Sequence, residues 1–383
     1  MAGATILDRV RDAAGLIRAE AASCEQERRL SPAVVAALRD AGVFRMAMSG
    51  ALGGPELSPL EQLEVIEEVA SADGSAGWCA MINSDGGYGS AFLDPVVAKG
   101  MYSSLDMPTS VIANPSGQAV VEPGGYRVTG RWSFASGSTH AEWFFFHAIH
   151  IEDGEMQPGS QGLPRTAMCA VPVAEVEVHD TWHTTGLCGT ASGDVSVDGV
   201  FVPQERTFSL LTGAPVDPSP LYRWRWMFFV NMAGVPLGIA RAALAEAEDV
   251  AQTKVTMPTF ALAREDSVVQ ASIGRAQALV GSARAYVYDT AGRMWDVLVR
   301  GDELPSELWT EYRLALTHAA HSSKAAVGLL YEALGTTGVY RSSVLDRHLR
   351  DTTTLAQHIL TQTKTYTSSG RVLLGLEPLA LAY

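Results

Sequence analysis

Three short stretches of this chain hold side chains able to do chemistry. In RWSFASGSTHAEW, Arg131 to Trp143, the alternating pair Trp132 and Phe134 leads into a turn with Ser136, Ser138 and Thr139, and His140 follows. Hydroxyls there either cap the turn or face a ligand. In GLCGTASGDVSVDGVFVP, Gly186 to Pro203, the run Gly189, Thr190, Ala191 and Ser192 combines small residues with hydroxyls. Such a loop lets the backbone approach a cofactor closely and hold a ring carbonyl or phosphate, although a glycine-rich hairpin reads the same way. In RHLRDTTTLAQH, helical spacing puts Arg347, Asp351, Leu355 and His358 on one face, where Arg347 can pair with Asp351 and His358 ends the stripe. With an ordinary pKa near ~6.5, a histidine there can accept or return a proton.

The elements that must position these residues follow from pattern. Ser31-Pro32 before AVVAALRDAG predicts a capped helix ending at Gly42, and Ser58-Pro59-Leu60-Glu61 predicts a capping box and a helix to about Ala72. From Thr109 the sequence turns to short β-rich runs such as YRVTG, WFFFHAIHI and TAMCAV, separated by glycine, proline and aspartate. Long helical stretches return over Val230 to Ala251, Leu262 to Val299 and Ser306 to Leu334, with Gly335 as a stop. Residues 1–108 therefore read as a helical domain, 109–215 as a central, mostly antiparallel β-domain and 216–383 as a helical bundle. Thr212 to Pro220 is the loose linker.

Bulk properties narrow the partners. At 383 residues and 47% hydrophobic content the chain can bury a large core. A formal charge of -14 disfavours nucleic acid and anionic membranes, and no run of apolar residues is long enough to suggest a bilayer crossing. Cys24, Cys79, Cys169 and Cys188 lack ligand or disulfide spacing, so no metal is expected and the thiols read as reduced and cytoplasmic. The N-terminus lacks the apolar run of a signal peptide. His147, His150, His179 and His183 have no companion carboxylate at metal spacing. G-x-G-x-x-G after a strand, a P-loop and the G-x-S-x-G elbow are all absent, which leaves nicotinamide, nucleotide and serine-hydrolase readings unsupported.

The three stretches, in this order and spacing, resemble the acyl-CoA dehydrogenase superfamily, and within it the flavin-dependent monooxygenases that receive reduced flavin from a separate reductase. The resemblance implies an N-terminal helical domain, a central flavin-binding β-domain and a C-terminal four-helix bundle, assembled as a homotetramer. It implies reduced FMN or FAD and O2, with a C4a-hydroperoxyflavin hydroxylating an organic, aromatic or polycyclic, small molecule. Ser136 would sit near flavin N5, His358 would manage the proton and His140 would orient substrate or peroxide. Trp132, Phe134, Ser136, Gly189, Thr190 and Ser192 would bind the cofactor. In GSAGWCAMINSDGGYG, Trp78, Asn83 and Tyr88, beside Ser84 and Asp85, would line the substrate pocket.

The dehydrogenases of the superfamily carry a catalytic glutamate on the loop that here reads His358-Ile359-Leu360, and no carboxylate occurs between Asp351 and Glu377. That departure favours oxygen transfer. A dehydrogenase using Glu246 or Glu248, an amine N-hydroxylase, and a flavin-binding scaffold without turnover are the alternatives.

Overall fold

Local chemistry sets the helix ends in the first third of the chain, where a computed structural model describes residues 2–159 and 163–379 of the whole. The helices are α1 (Ala2–Glu27), α2 (Pro32–Ala41), α3 (Pro59–Ala72), α4 (Gly74–Asn83), α5 (Gly86–Ser90) and α6 (Pro95–Met101). The Ser31 hydroxyl accepts from Val34 N–H, and Gly42 ends α2 at φ 83°. Ser58 and Glu61 cap each other's free donors at the start of α3. Asp73, the single residue between α3 and α4, accepts from Ala76 N–H at 2.7 Å and so starts α4 at once in a new direction.

The β-rich region forms one sheet from β1 (Thr109–Glu122), β2 (Gly125–Trp132), β3 (Trp143–Glu152), β4 (Glu155–Met156), β5 (Thr166–Pro172), β6 (Glu177–His179), β7 (Asp194–Pro203) and β8 (Thr207–Phe208). Strand order is β6-β7-β2-β1-β3-β5-β8, with β4 on β3. All pairings are antiparallel except β1 with β3, which run parallel. Residues 133–142 carry the chain from β2 across β1 to β3, so the serine-rich turn lies at one end of the sheet. Alternation sorts the aromatic run of β3. Phe144 and Phe146 join Trp132, Val128 and Val195 in a core on one face, while Phe145 packs on the other with the helices.

The C-terminal helices are α7 (Gly234–Thr253), α8 (Ser267–Arg300), α9 (Ser306–Ala333), α10 (Val344–Leu355) and α11 (Lys364–Leu373). Two expected boundaries move. Met227–Ala233 winds as a 3-10 turn ahead of α7, and α8 begins only at Ser267, because the Asp266 side chain caps Val268 N–H. Met227–Thr253 is apolar and long enough to cross a membrane by composition, contrary to expectation, yet 83% of its most apolar window is buried inside the fold. It is the core helix of the bundle.

Candidate active site

Helix α4, the 133–142 turn, the 187–193 loop and the segment after α10 converge. Trp78 on α4 donates its Nε1–H to the Ser136 hydroxyl at 3.0 Å. Ser136 Oγ lies 2.7 Å from Ser192 Oγ, and Ser192 Oγ lies 2.7 Å from Thr190 Oγ1. Thr190 donates to the Leu187 carbonyl at 2.8 Å. Each hydroxyl has one proton. With the Thr190 proton committed to a carbonyl, Ser192 must donate to Thr190 and Ser136 must donate to Ser192. The chain therefore has one direction, from Trp78 through Ser136, Ser192 and Thr190 to Leu187, and it leaves Ser136 one free lone pair and no free proton.

Backbone strain shapes the same place. Phe134, Gly137, Leu187 and Ala191 all adopt positive φ, at 66°, 72°, 52° and 46°. Only glycine fits at Gly137, since a Cβ there would stand 2.3 Å from Asn83 Oδ1. Gly137 N–H and the Ser138 hydroxyl bond to the carbonyls of Thr190 and Ala191, which locks the two loops together.

Asn83 is the hub behind the turn. It is fully buried and its amide donates to the carbonyls of Thr109 and Ser136. Its Oδ1 is therefore the acceptor facing His140 Nε2 at 2.9 Å, which places the His140 proton on Nε2 and leaves Nδ1 bare. Nδ1 is buried without a hydrogen-bond partner among the described residues, and burial, then the Arg39 charge, lowers the imidazole pKa to about 4. His140 stands neutral, held from behind by Asn83, with one acceptor unused.

His358 lies beyond α10, which ends at Leu355, so it occupies a turn and not the end of a helical stripe. Its ring meets the edge of Trp78 at 5.3 Å. Desolvation, then the charge of buried Arg313 on α9, lowers its pKa to about 4. Nδ1 accepts Leu360 N–H at 3.3 Å, so the proton of the neutral ring sits on Nε2. The expected Arg347–Asp351 pair does not form. Arg347 reaches Glu25 on α1 at 3.9 Å, while Asp351 accepts Leu187 N–H at 2.6 Å. Helix α10 thus holds the loop whose carbonyl ends the hydroxyl chain.

The other expected residues divide. Trp132 is wholly enclosed, its Nε1–H on the His147 carbonyl and its ring 4.4 Å from Phe146, so it packs the sheet and offers no wall to a ligand. Phe134, by contrast, is 70% exposed and leaves its ring open to solvent. Gly189 is pressed against α4 and α1, where a Cβ would meet Ser75 at 3.0 Å and Cys24 at 3.3 Å. Thr190 and Ser192 are buried behind Ser136 and support it.

Tyr88 lines an apolar cavity of about 30 Å³ with Asp85, Phe92, Val111, Phe145, Met168, Phe208, Tyr222, Trp224, Arg225 and Phe228, whereas Asn83 and Ser84 do not. These aromatic walls come from four regions of the chain, and of their aromatic residues the sequence reading named only Tyr88. Among the described residues no three His, Cys, Asp or Glu side chains gather to hold a metal.

A three-part fold of this kind, with a hydroxyl-lined loop pair joined through Trp78 to a histidine that follows α10, matches a flavoprotein of acyl-CoA dehydrogenase architecture. Residues 4–95 match the family model "Acyl-CoA dehydrogenase, N-terminal domain" and residues 230–363 match "Acyl-CoA dehydrogenase, C-terminal domain". The chain is 31% identical to indole-3-acetate monooxygenase of Pseudomonas putida, covering 98% of this chain and 93% of that one. It is 30% identical to the flavin-dependent monooxygenase oxygenase subunit HsaA of Mycobacterium tuberculosis over 88% and 86% of the two chains. The crystal structure of HsaA from M. tuberculosis superposes with a TM-score of 0.90 at 26% identity over 100% of both chains. XiaF from Streptomyces, solved with FADH2 and glycerol, shares the fold at a TM-score of 0.89 and 24% identity, over 99% of this chain and 97% of that one. The chain belongs to the acyl-CoA dehydrogenase superfamily, among its flavin-dependent monooxygenases, and is an oxidoreductase.

Proposed function

We propose that this chain is the oxygenase component of a two-component system, taking FADH2 or FMNH2 from a separate flavin reductase and using O2 to hydroxylate an aromatic or polycyclic substrate. The observation that carries this reading is the one-way hydroxyl chain. If Ser136 faces flavin N5, as the family resemblance implies, its free lone pair matches a ring that presents an N–H there, which the reduced ring does and the oxidised ring does not. Phe134 would wall the ring, Ser192 and Thr190 would hold Ser136, and the loop backbone at 187–193 would approach it. The bound flavin supplies oxygen activation.

His358, neutral with its proton on Nε2, would offer that proton to an oxygen atom at the site, and His140 Nδ1 would accept one hydrogen bond from the substrate. The aromatic cavity would take the substrate. At about 30 Å³ it has room for no more than a water molecule or two, so a ring system enters by moving side chains on the irregular segment between β8 and α7. One relative is named an indole-3-acetate monooxygenase, and another, from Rhizobium at 28% identity, an FADH2-dependent resorcinol hydroxylase oxygenase component. Both names fit an electron-rich aromatic substrate.

A cytoplasmic homotetramer belongs to the same proposal, supported by four free thiols and by exposed apolar side chains at Met257, Phe260, Leu373 and Leu374 that a second subunit would cover. For a dehydrogenase, Glu248 is exposed and Glu246 only half-buried, a poor setting for a substrate base.

Anaerobic titration with FADH2 and FMNH2, followed by oxygen, tests the reading. Reduced flavin should bind more tightly than oxidised flavin, and the chain alone should not oxidise NADH or NADPH. His358→Ala should lower hydroxylation by roughly 10²-fold while flavin still binds. Unaided NAD(P)H oxidation, or hydroxylation by His358→Ala at the parent rate, overturns it.

A further inference from the structure

Asp85 occupies the turn between α4 and α5, where an aspartate ordinarily caps the following helix, yet its side chain makes no cap bond. It is 4% exposed, and its Oδ1 is sealed from solvent with no hydrogen-bond partner among the described residues. The walls around it are apolar or already committed except at Trp224 and Arg225, and no charge from Arg225 acts on the Asp85 carboxyl. Phe92, Phe145, Phe208 and Phe228 offer only carbon, while the Tyr88 hydroxyl donates to Gln62 and the Tyr222 hydroxyl to the Ala47 carbonyl. Trp224 Nε1 on the same cavity is likewise buried without a partner. Burial alone raises the Asp85 carboxyl well above the ordinary range, with no cation lowering it. An orphan carboxyl in an aromatic cavity destabilises the fold, and a leucine of similar size would not.

We infer that Asp85 is the specificity-determining residue of the substrate cavity, accepting a hydrogen bond from an N–H or O–H carried by an aromatic ring, as in an indole or a phenol. This deepens the proposed function and rests on its reading that the cavity takes the substrate. A bound ring with such a donor satisfies the carboxyl oxygen that the protein leaves bare. A ring lacking the donor leaves it bare, which is the situation in which polar sites discriminate strongly.

The test uses indole and 1-methylindole, which differ at the donor, with binding measured by calorimetry on the flavin-free full chain. The parent should bind indole at least about tenfold more tightly than 1-methylindole. Asp85→Leu should bring that ratio close to one while raising the melting temperature of the free protein and leaving affinity for reduced flavin unchanged. Asp85→Asn keeps an acceptor oxygen and should keep most of the ratio, which also covers the case in which the leucine variant folds poorly. A parent that binds the two probes equally or binds neither, or an Asp85→Leu variant with the parent's ratio, overturns the inference. Failure of the parent to bind reduced flavin would instead overturn the proposed function, and the calorimetric ratio is read without flavin, so the two failures are distinct.

Discussion

A serine near a cofactor is usually credited with a hydroxyl that both gives and accepts, but the proton of Ser136 is already assigned. Trp78 fills one of its lone pairs and Ser192 takes its proton, because the Thr190 proton is fixed on the Leu187 carbonyl. Ser192→Ala should therefore act on flavin preference. With the acceptor gone, the Ser136 hydroxyl can turn its proton outward to the bare N5 of oxidised flavin. Affinity for oxidised flavin should rise relative to reduced flavin by about tenfold, the scale of one hydrogen bond, as read by fluorescence titration of oxidised flavin and anaerobic titration of reduced flavin. An unchanged ratio would show that Ser136 does not contact N5. Ser136, His140 and His358 could be singled out in the sequence by residue type and order, although His358 stands in a turn and not on the helical stripe that its spacing suggested. The direction of the hydroxyl chain could not, since it depends on which oxygen is within reach of which proton across Thr190 and Ser192. Trp132 was misread because its alternation with Phe134 does not hold: β2 ends at Trp132, and Phe134 beyond it turns to positive φ, so one side chain enters the core and the other faces solvent.

At the scale of elements, α10 holds the site from two sides. Asp351 grips Leu187 N–H, and three residues beyond the end of the helix His358 meets Trp78. The helix also seats tightly on the loop, since a Cβ at Gly186 would stand 2.2 Å from the Arg350 carbonyl oxygen. Asp351→Ala leaves Leu187 N–H buried without an acceptor, at a cost of about 1–3 kcal/mol, and frees a residue held at positive φ. The melting temperature should fall and affinity for reduced flavin should weaken together, whereas Asp351→Asn, which retains an acceptor oxygen, should leave flavin affinity near the parent's. Loss of stability with flavin affinity intact would separate the loop from the cofactor. The capped starts of α2 and α3 were readable because their chemistry is local. The partner of Arg347 was not, because Glu25 arrives from α1, and the four-residue spacing within α10 favoured Asp351 until a long-range contact displaced it.

At the scale of the whole molecule, burial of titratable groups couples the site to acid stability in two opposed ways. His348 is enclosed on α10, where desolvation, then Arg347, lowers its pKa to about 3. Its unfolded pKa is about 6.5, so between those values the unfolded chain binds the extra proton, and His348 subtracts stability as pH falls. Asp351 runs the other way. Desolvation, then the neighbouring Asp73 charge, pushes it up to about 7, against about 3.9 unfolded. In that window the folded chain binds the extra proton, and Asp351 adds stability as pH falls. Each variant should therefore diverge from the parent with a definite sign. His348→Leu should gain melting temperature relative to the parent as pH falls from about 6.5 toward 4, and Asp351→Asn should lose it as pH falls from about 7 toward 4. Thermal unfolding of the three proteins at half-unit steps across that range would measure both slopes. Parallel curves for His348→Leu and parent would mean that the imidazole reaches solvent and titrates alike in both states, and parallel curves for Asp351→Asn and parent would mean that the carboxylate on Leu187 stays ionised throughout.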